Sequence, residues 1–296
     1  MGTDDVTRHG RTSRRKLLVG GAAAAVGVGA LSGSATAAGT RRAVAEDALF
    51  DKIVKSGKVR MGIDPTFKPL QYKDPATNEP TGFNIEVSKL LAKELGAEVT
   101  WVEVPFSETF AALAAGRFDI SGITAINTPA RALRVTFASA PSMLEPAYIF
   151  QKKGLNLKRN ELANNGKYTI AAVTGTVQAL GAKLFFPKAK LKEFPNDPAA
   201  LADVSTGRSD FVFLGDYAVA EAAGKGLRIV SSTPVFNAWD TYYVPHGNPT
   251  LAAFITTFLQ NKAYDLTLAS LWEKFVAKDL RKFGLTSPPV RDPWLS

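Results

Sequence analysis

Two short stretches of this chain are built to one plan, and that repetition limits the folds open to it. Gly116-Arg117-Phe118-Asp119-Ile120 follows the alanine-rich run SETFAALAA, and Gly207-Arg208-Ser209-Asp210-Phe211 follows NDPAALADVST. In each, a helix-forming segment meets a glycine suited to the left-handed turn that ends a helix, and a strand-like run comes next. Around them strands and helices alternate. KVRMGI, AEVTWVEV and RFDIS read as strands in the first unit, and YTIAAV, AKLKEF and RSDFVFLG in the second. Alternation of this kind predicts two α/β lobes of like design, each with a largely parallel sheet wrapped by helices. A chance likeness of two helix-stop-strand units is the competing explanation.

Helix signals fill the spaces between. FNIEVSKLLAKELG carries Val87, Leu90, Leu91 and Leu95 at helical spacing, with Gly96 as terminator. Asp47 is placed to cap EDALFDKIVKSG, Ser107 to cap SETFAALAAG, and Asp197 to cap the segment that holds Pro198. DPATNEPTG reads as a hairpin excursion. From Pro249 to Gly284 the chain is mostly helical, its apolar stripes facing a core.

The N-terminus reads differently. Arg14 and Arg15 precede a Gly/Ala-rich apolar run from Leu17 to Leu31, and Ala35 and Ala37 form an Ala-x-Ala site. These are the parts of a cleaved export signal over residues 1–37, resembling the twin-arginine type; an N-terminal anchor is the alternative. The chain has no cysteine, so an exported product carries neither disulfides nor a lipid on cysteine. Removing residues 1–37 takes five basic and two acidic groups from totals of 36 and 27, leaving a net charge of about +6. The basic residues are scattered, without the interleaved aromatics of a nucleic-acid footprint. His246 is then the one histidine left, poor equipment for catalytic triads or transition-metal sites.

The chemistry gathers at strand ends. In GITAINTPAR, Thr128 is a good helix N-cap and Pro129 suits the first helical position, which puts Arg131 in the first turn. A cation there opposes the helix dipole, so an anion is expected beside it unless Arg131 is an ordinary surface residue. Thr124 and the backbone at Gly122 add polar contacts, and Thr176 in VTGT offers another helix start suited to a carboxylate. Asp216, after Leu214-Gly215, is either a plain cap or a partner for an ammonium group. An arginine for an acid and an aspartate for an amine describe a receptor for a zwitterion, and an amino acid is the simplest.

From Lys58 to about Phe275 the chain resembles the bacterial extracellular solute-binding proteins of the polar amino acid class (family 3). The resemblance rests on VRMGIDPTFKPLQYKD, TGFNIEVSKLLAKELGAEV, LAAGRFDISGIT, TPARALRVTFASAP, VTGTVQAL and GRSDFVFLGDYAVAE in that order. It implies a two-lobed periplasmic-binding-protein-like α/β fold of type II, each lobe a mixed, mostly parallel sheet, joined by two hinge strands. Lobe 1 would comprise residues 46–144 plus 238–296, and lobe 2 residues 145–237. It further implies that Arg131 clamps an α-carboxylate with Thr176. Asp216, Thr124 and the Ser121-Gly122 backbone would bind the α-amino group, and Asp64 and Phe67 would contact the side chain. The protein would be a periplasmic, unlipidated monomer that needs no cofactor or metal. It would capture an amino acid with a polar or cationic side chain and pass it to an ABC transporter permease.

Three departures from the family pattern stand out. Two extra residues lie between Gly122 and Arg131; Asn84 and Glu86 replace a pair of aspartates, read as a capping change; and Leu70 replaces a phenylalanine. An alternative function is an enzyme on the same scaffold, resembling the cyclohexadienyl dehydratases, which share the SGI stretch followed by a hydroxyl residue. The glutamate expected one turn after Asp216 is Val219 here.

Overall fold

A computed structural model describes residues 48–286. The export-signal reading, the Asp47 cap and most of the proline-rich tail lie outside the described residues. Twelve strands appear in chain order. They are β1 (Lys58–Ile63), β2 (Tyr72–Lys73), β3 (Pro80–Thr81), β4 (Glu98–Glu103), β5 (Ile120–Ile126) and β6 (Val135–Phe137). β7 (Met143–Gln151), β8 (Thr169–Val173), β9 (Lys190–Phe194), β10 (Phe211–Gly215), β11 (Arg228–Ile229) and β12 (Phe236–Pro245) follow.

β2 and β3 form the expected hairpin. The remaining ten make one sheet whose main path runs β4-β1-β5-β12-β7-β10-β8-β9. It has two similar halves. In the first, β1 lies parallel between β4 and β5; in the second, β8 lies parallel between β9 and β10. The middle is antiparallel: β12 pairs with β5 and β7, and β7 with β10. β7 and β12 therefore carry the sheet from one half to the other.

The repeated Gly-Arg-x-Asp stretch has a physical reason. Asp119 Oδ2 accepts from the backbone N–H of Arg60 at the start of β1, at 3.0 Å, and the Asp119 N–H donates to the Arg60 carbonyl. Asp210 repeats the clamp on Thr169 at the start of β8, at 2.9 Å, and its N–H donates to the Thr169 carbonyl. Each aspartate thus pins the register of a central parallel strand. Each is also paired with a cation, Arg60 for Asp119 and Lys152 for Asp210.

Helices cover the sheet. Phe83–Glu94 buries Phe83, Val87 and Leu91, and Val177–Phe185 is capped by Thr176, whose Oγ1 accepts from Ala179 N. Two caps differ from expectation. Asn196, not Asp197, caps the helix Asp197–Ser205, accepting from Ala199 N, because Pro198 then falls within its first turn. Ser107 lies inside a 3-10 turn, Phe106–Glu108, ahead of the helix Thr109–Ala114. Toward the C-terminus, Pro249–Tyr264 and Thr267–Trp272 lead through a π-helical turn, Glu273–Ala277, into Lys278–Lys282.

Candidate functional site

The C-terminal end of β5 opens one wall of a cleft. Its residues Ile123 to Ile126 line it, and Arg131 projects from the single helical turn Pro129–Ala132 that follows. Thr128 caps that turn as the sequence predicts, accepting from Arg131 N at 3.3 Å. The turn is only four residues long, so Arg131 is placed by its side-chain contacts and not by a helix dipole. Its guanidinium donates to the Ile126 carbonyl at 2.7 Å and, across the cleft, to the Gly175 carbonyl at 2.9 Å. The rings of Phe106 and Phe110 flank it at 5.4 and 5.2 Å. Burial works against its charge, and Asp240, Tyr243 and Glu145 favour it.

The opposite wall comes from the second half of the sheet, through Thr176, Val177, Gln178 and Tyr217. Phe67 reaches across to Tyr217, with ring centroids 6.3 Å apart. The space between the two walls, open solvent included, is about 430 Å³.

Acid defines the floor. Glu145 on β7 and Asp240 on β12 both line the cleft and are 7 % and 4 % exposed. Gln178 Nε2 donates to Glu145 Oε1, and Thr124 Oγ1 donates to Asp240 Oδ2 at 3.4 Å. Burial holds Glu145 well above the usual carboxylate range, and the nearby charges of Asp240 and Asp216 push the same way. Burial also raises Asp240, against the pull of the Glu145 contact, Arg131 and Thr124. The two buried carboxyls contact each other, which favours the protonated form of Glu145.

Of the residues singled out from sequence, Phe67, Thr124, Arg131 and Thr176 line this one cleft. The others are placed differently. Asp64 turns both oxygens to its own half: Oδ1 accepts from Thr66 N and Oγ1, and Oδ2 from Phe106 N at 2.9 Å. Ser121 is fully buried, its hydroxyl donating to Ile123 O. The Gly122 carbonyl accepts from Gln71 Nε2 at 3.0 Å. A Cβ at Gly122 would meet Gly62 O at 3.0 Å and Ser88 Oγ at 3.1 Å, so strand and helix packing accounts for this glycine. Asp216 starts the turn Asp216–Ala218 and is 1 % exposed. Its charge still reaches the cleft, raising the pKa of Glu145.

Glu145, Asp240, Gln178 and Asn84 were not read as site residues. Asn84 makes no cap: its Nδ2 donates to Thr124 Oγ1 at 3.1 Å and the residue lines the cleft. The available signal was a lone acid within an apolar, aromatic run, in PSMLEPAYIF and again in FNAWDTYYVP; an acid buried there requires partners. Among the described residues no group of three or more His, Cys, Asp or Glu side chains could hold a metal ion, and no helix is long and apolar enough to cross a membrane.

Two sheet halves linked by crossing strands, with a polar cleft between them, define a two-lobed periplasmic binding-protein fold. Comparison with known proteins names the family. Residues 59–278 match the bacterial extracellular solute-binding proteins, family 3, and the chain belongs to that family. The L-cystine-binding protein TcyA of Bacillus subtilis is 25% identical over 79% of this chain and 87% of its own length. The ABC transporter arginine-binding protein 1 of Escherichia coli is 30% identical, over 55% of this chain and 64% of its own. Among solved structures, the ancestral amino acid-binding protein AncCDT-1, a precursor of cyclohexadienyl dehydratase, superposes with a TM-score of 0.71. It is 31% identical, over 77% of this chain and 99% of its own.

Proposed function

We propose that this protein captures an amino acid with a polar or cationic side chain between its lobes and delivers it to an ABC importer. One observation carries the reading: the cleft sets a single guanidinium, Arg131, against the buried carboxyls of Glu145 and Asp240. A guanidinium fork suits a carboxylate, and the acids suit a cationic nitrogen. The names of the relatives support an amino-acid ligand, since they bind cystine and arginine.

The lobes, residues 46–144 with 238–296 and residues 145–237, would pivot about β7 and β12. Ligand favours the closed form because contacts from both lobes are available only there. The working protein is an exported, unlipidated monomer, and its partner is the inner-membrane permease.

Calorimetric titration of ligand-stripped protein with the proteinogenic L-amino acids and L-cystine tests this. At least one should bind, and Arg131→Ala should weaken it about 100-fold, the scale of a charge-assisted contact in a desolvated site. Absence of binding across the panel by folded protein overturns the proposal.

A second reading follows from the raised pKa of Glu145, a carboxylic acid at a cleft floor. Such a group can protonate a leaving hydroxyl, as a cyclohexadienyl dehydratase-like enzyme requires. Turnover of prephenate or arogenate would establish that reading, and unchanged substrate would discard it.

A further inference from the structure

Among the described residues that line the cleft, Tyr217 is the one aromatic ring from the second half. It lies in the turn Asp216–Ala218 after β10 and is buried. Its ring ends a row that begins at Arg131. The guanidinium lies over Phe106, Phe106 packs on Phe67 with centroids 5.8 Å apart, and Phe67 meets Tyr217 at 6.3 Å. Phe67 and Phe106 belong to the first half, so the row crosses from one half to the other.

Two neighbours fix the Tyr217 ring. The first is Gly215. Its φ of −70° is open to any residue, so conformation does not require a glycine; space does. A Cβ there would meet Tyr217 Cε1 at 2.4 Å and Cδ1 at 2.7 Å, and the ring therefore rests against bare backbone. The second is Asp197, whose Oδ2 accepts from Tyr217 Oη at 3.1 Å. Burial keeps that hydroxyl protonated as the donor. Asn196 already caps the helix that Asp197 begins, and Asp197 Oδ1 is buried with no hydrogen-bond partner among the described residues. A buried carboxyl satisfied on one oxygen costs stability, and an apolar pair would fill the same space without that cost. The contact suits fixing where a ring points, not holding the fold together.

We infer that Tyr217 is a specificity-determining residue, the second half's contact to the stem of the ligand's side chain, and that Asp197 is its positioning residue; this rests on the reading of the cleft as an amino-acid site. The family resemblance gives side-chain contacts to Asp64 and Phe67, both in the first half. Tyr217 brings the other half into the choice of ligand. A stem of several methylenes, as in arginine, lysine or norleucine, gains contact with the ring faces, and a cation at its end is favoured over them. A methyl side chain offers the row little area to cover.

L-Arginine, L-lysine and L-norleucine are the probes, with L-alanine as the stemless control. Ligand-stripped wild type is titrated calorimetrically beside Tyr217→Ala, Tyr217→Leu, Tyr217→Phe, Asp197→Ala, Asp197→Asn and the double variant Asp197→Ala with Tyr217→Phe. Each is checked for folding by thermal melting. Tyr217→Ala should weaken the long probes that wild type binds by at least about ten-fold, and L-alanine by under about three-fold. If Tyr217→Ala does not fold, Tyr217→Leu carries the comparison. Tyr217→Phe and Asp197→Ala should each cost the long probes about three-fold, and the double variant no more than either. Asp197→Asn, which keeps an acceptor, should recover what Asp197→Ala loses. Equal losses for L-alanine and the long probes, no loss, losses that add in the double variant, or no recovery in Asp197→Asn overturns the inference. So does wild-type protein that binds other amino acids but none of the three long probes; binding of no amino acid at all overturns instead the amino-acid reading on which it rests.

Discussion

Asp197 shows how a single buried carboxyl can make stability depend on pH. It is 2 % exposed, accepts a hydrogen bond from Tyr217 Oη at 3.1 Å, and burial pushes its pKa up to about 7. The folded chain therefore holds a proton that the unfolded chain gives up near pH 4. Stability falls as pH rises from about 4 to about 7, and the loss persists above that range. Asp197→Asn keeps an acceptor for Tyr217 and removes the titration. Its melting temperature should exceed that of wild type at pH 8 but not at pH 5, and a difference independent of pH would contradict the assignment. The site was partly legible at this scale. Arg131 and Thr176 could be read because helix starts mark their positions, Thr124 from its place at a strand end, and Phe67 through family resemblance. Glu145 and Asp240 could not, because an acid inside an apolar run carries no local signature of the partner that faces it across two strands.

Among the elements, the helix Phe83–Glu94 illustrates how a turn fixes a site residue. Gly82 precedes it with φ 120°, and a Cβ there would come within 2.4 Å of the Leu70 carbonyl oxygen. Backbone cannot yield to such a contact cheaply. Gly82→Ala should cost about 3 kcal/mol or more in urea denaturation, and ligand affinity should fall too because Asn84 is displaced. A loss below about 1 kcal/mol would show that the turn can relax. The strands β1, β4, β5, β8, β9 and β10 were legible from short apolar runs closed by turn residues. β7 and β12 were not read from the residues: both are long and interrupted by an acid, β7 is buried over nearly all its length and β12 over half of it, so neither alternation nor a clean apolar block marks them. The Asn196 cap was misplaced by one residue because two cap-forming side chains adjoin and only the position of Pro198 separates them.

For the molecule as a whole, clamps at Asp119 and Asp210 repeat in the two half-sheets, and the strands that carry the sheet between them are β7 and β12. Motion should concentrate there. The chain contains no cysteine, so Ala76→Cys and Lys225→Cys give a labelled pair, one exposed position on each half. Single-molecule energy transfer should show a distribution of separations that narrows when L-lysine is added; a single unchanged separation would mean that the halves do not move.

The bond from Arg131 to the Gly175 carbonyl adds a consequence of its own. The chain contains an internal rival for the group that is to grip a guest's carboxylate. A guest carboxylate that takes the same N–H must displace that peptide oxygen, and its measured affinity then understates intrinsic affinity by the share of molecules in which the rival is seated.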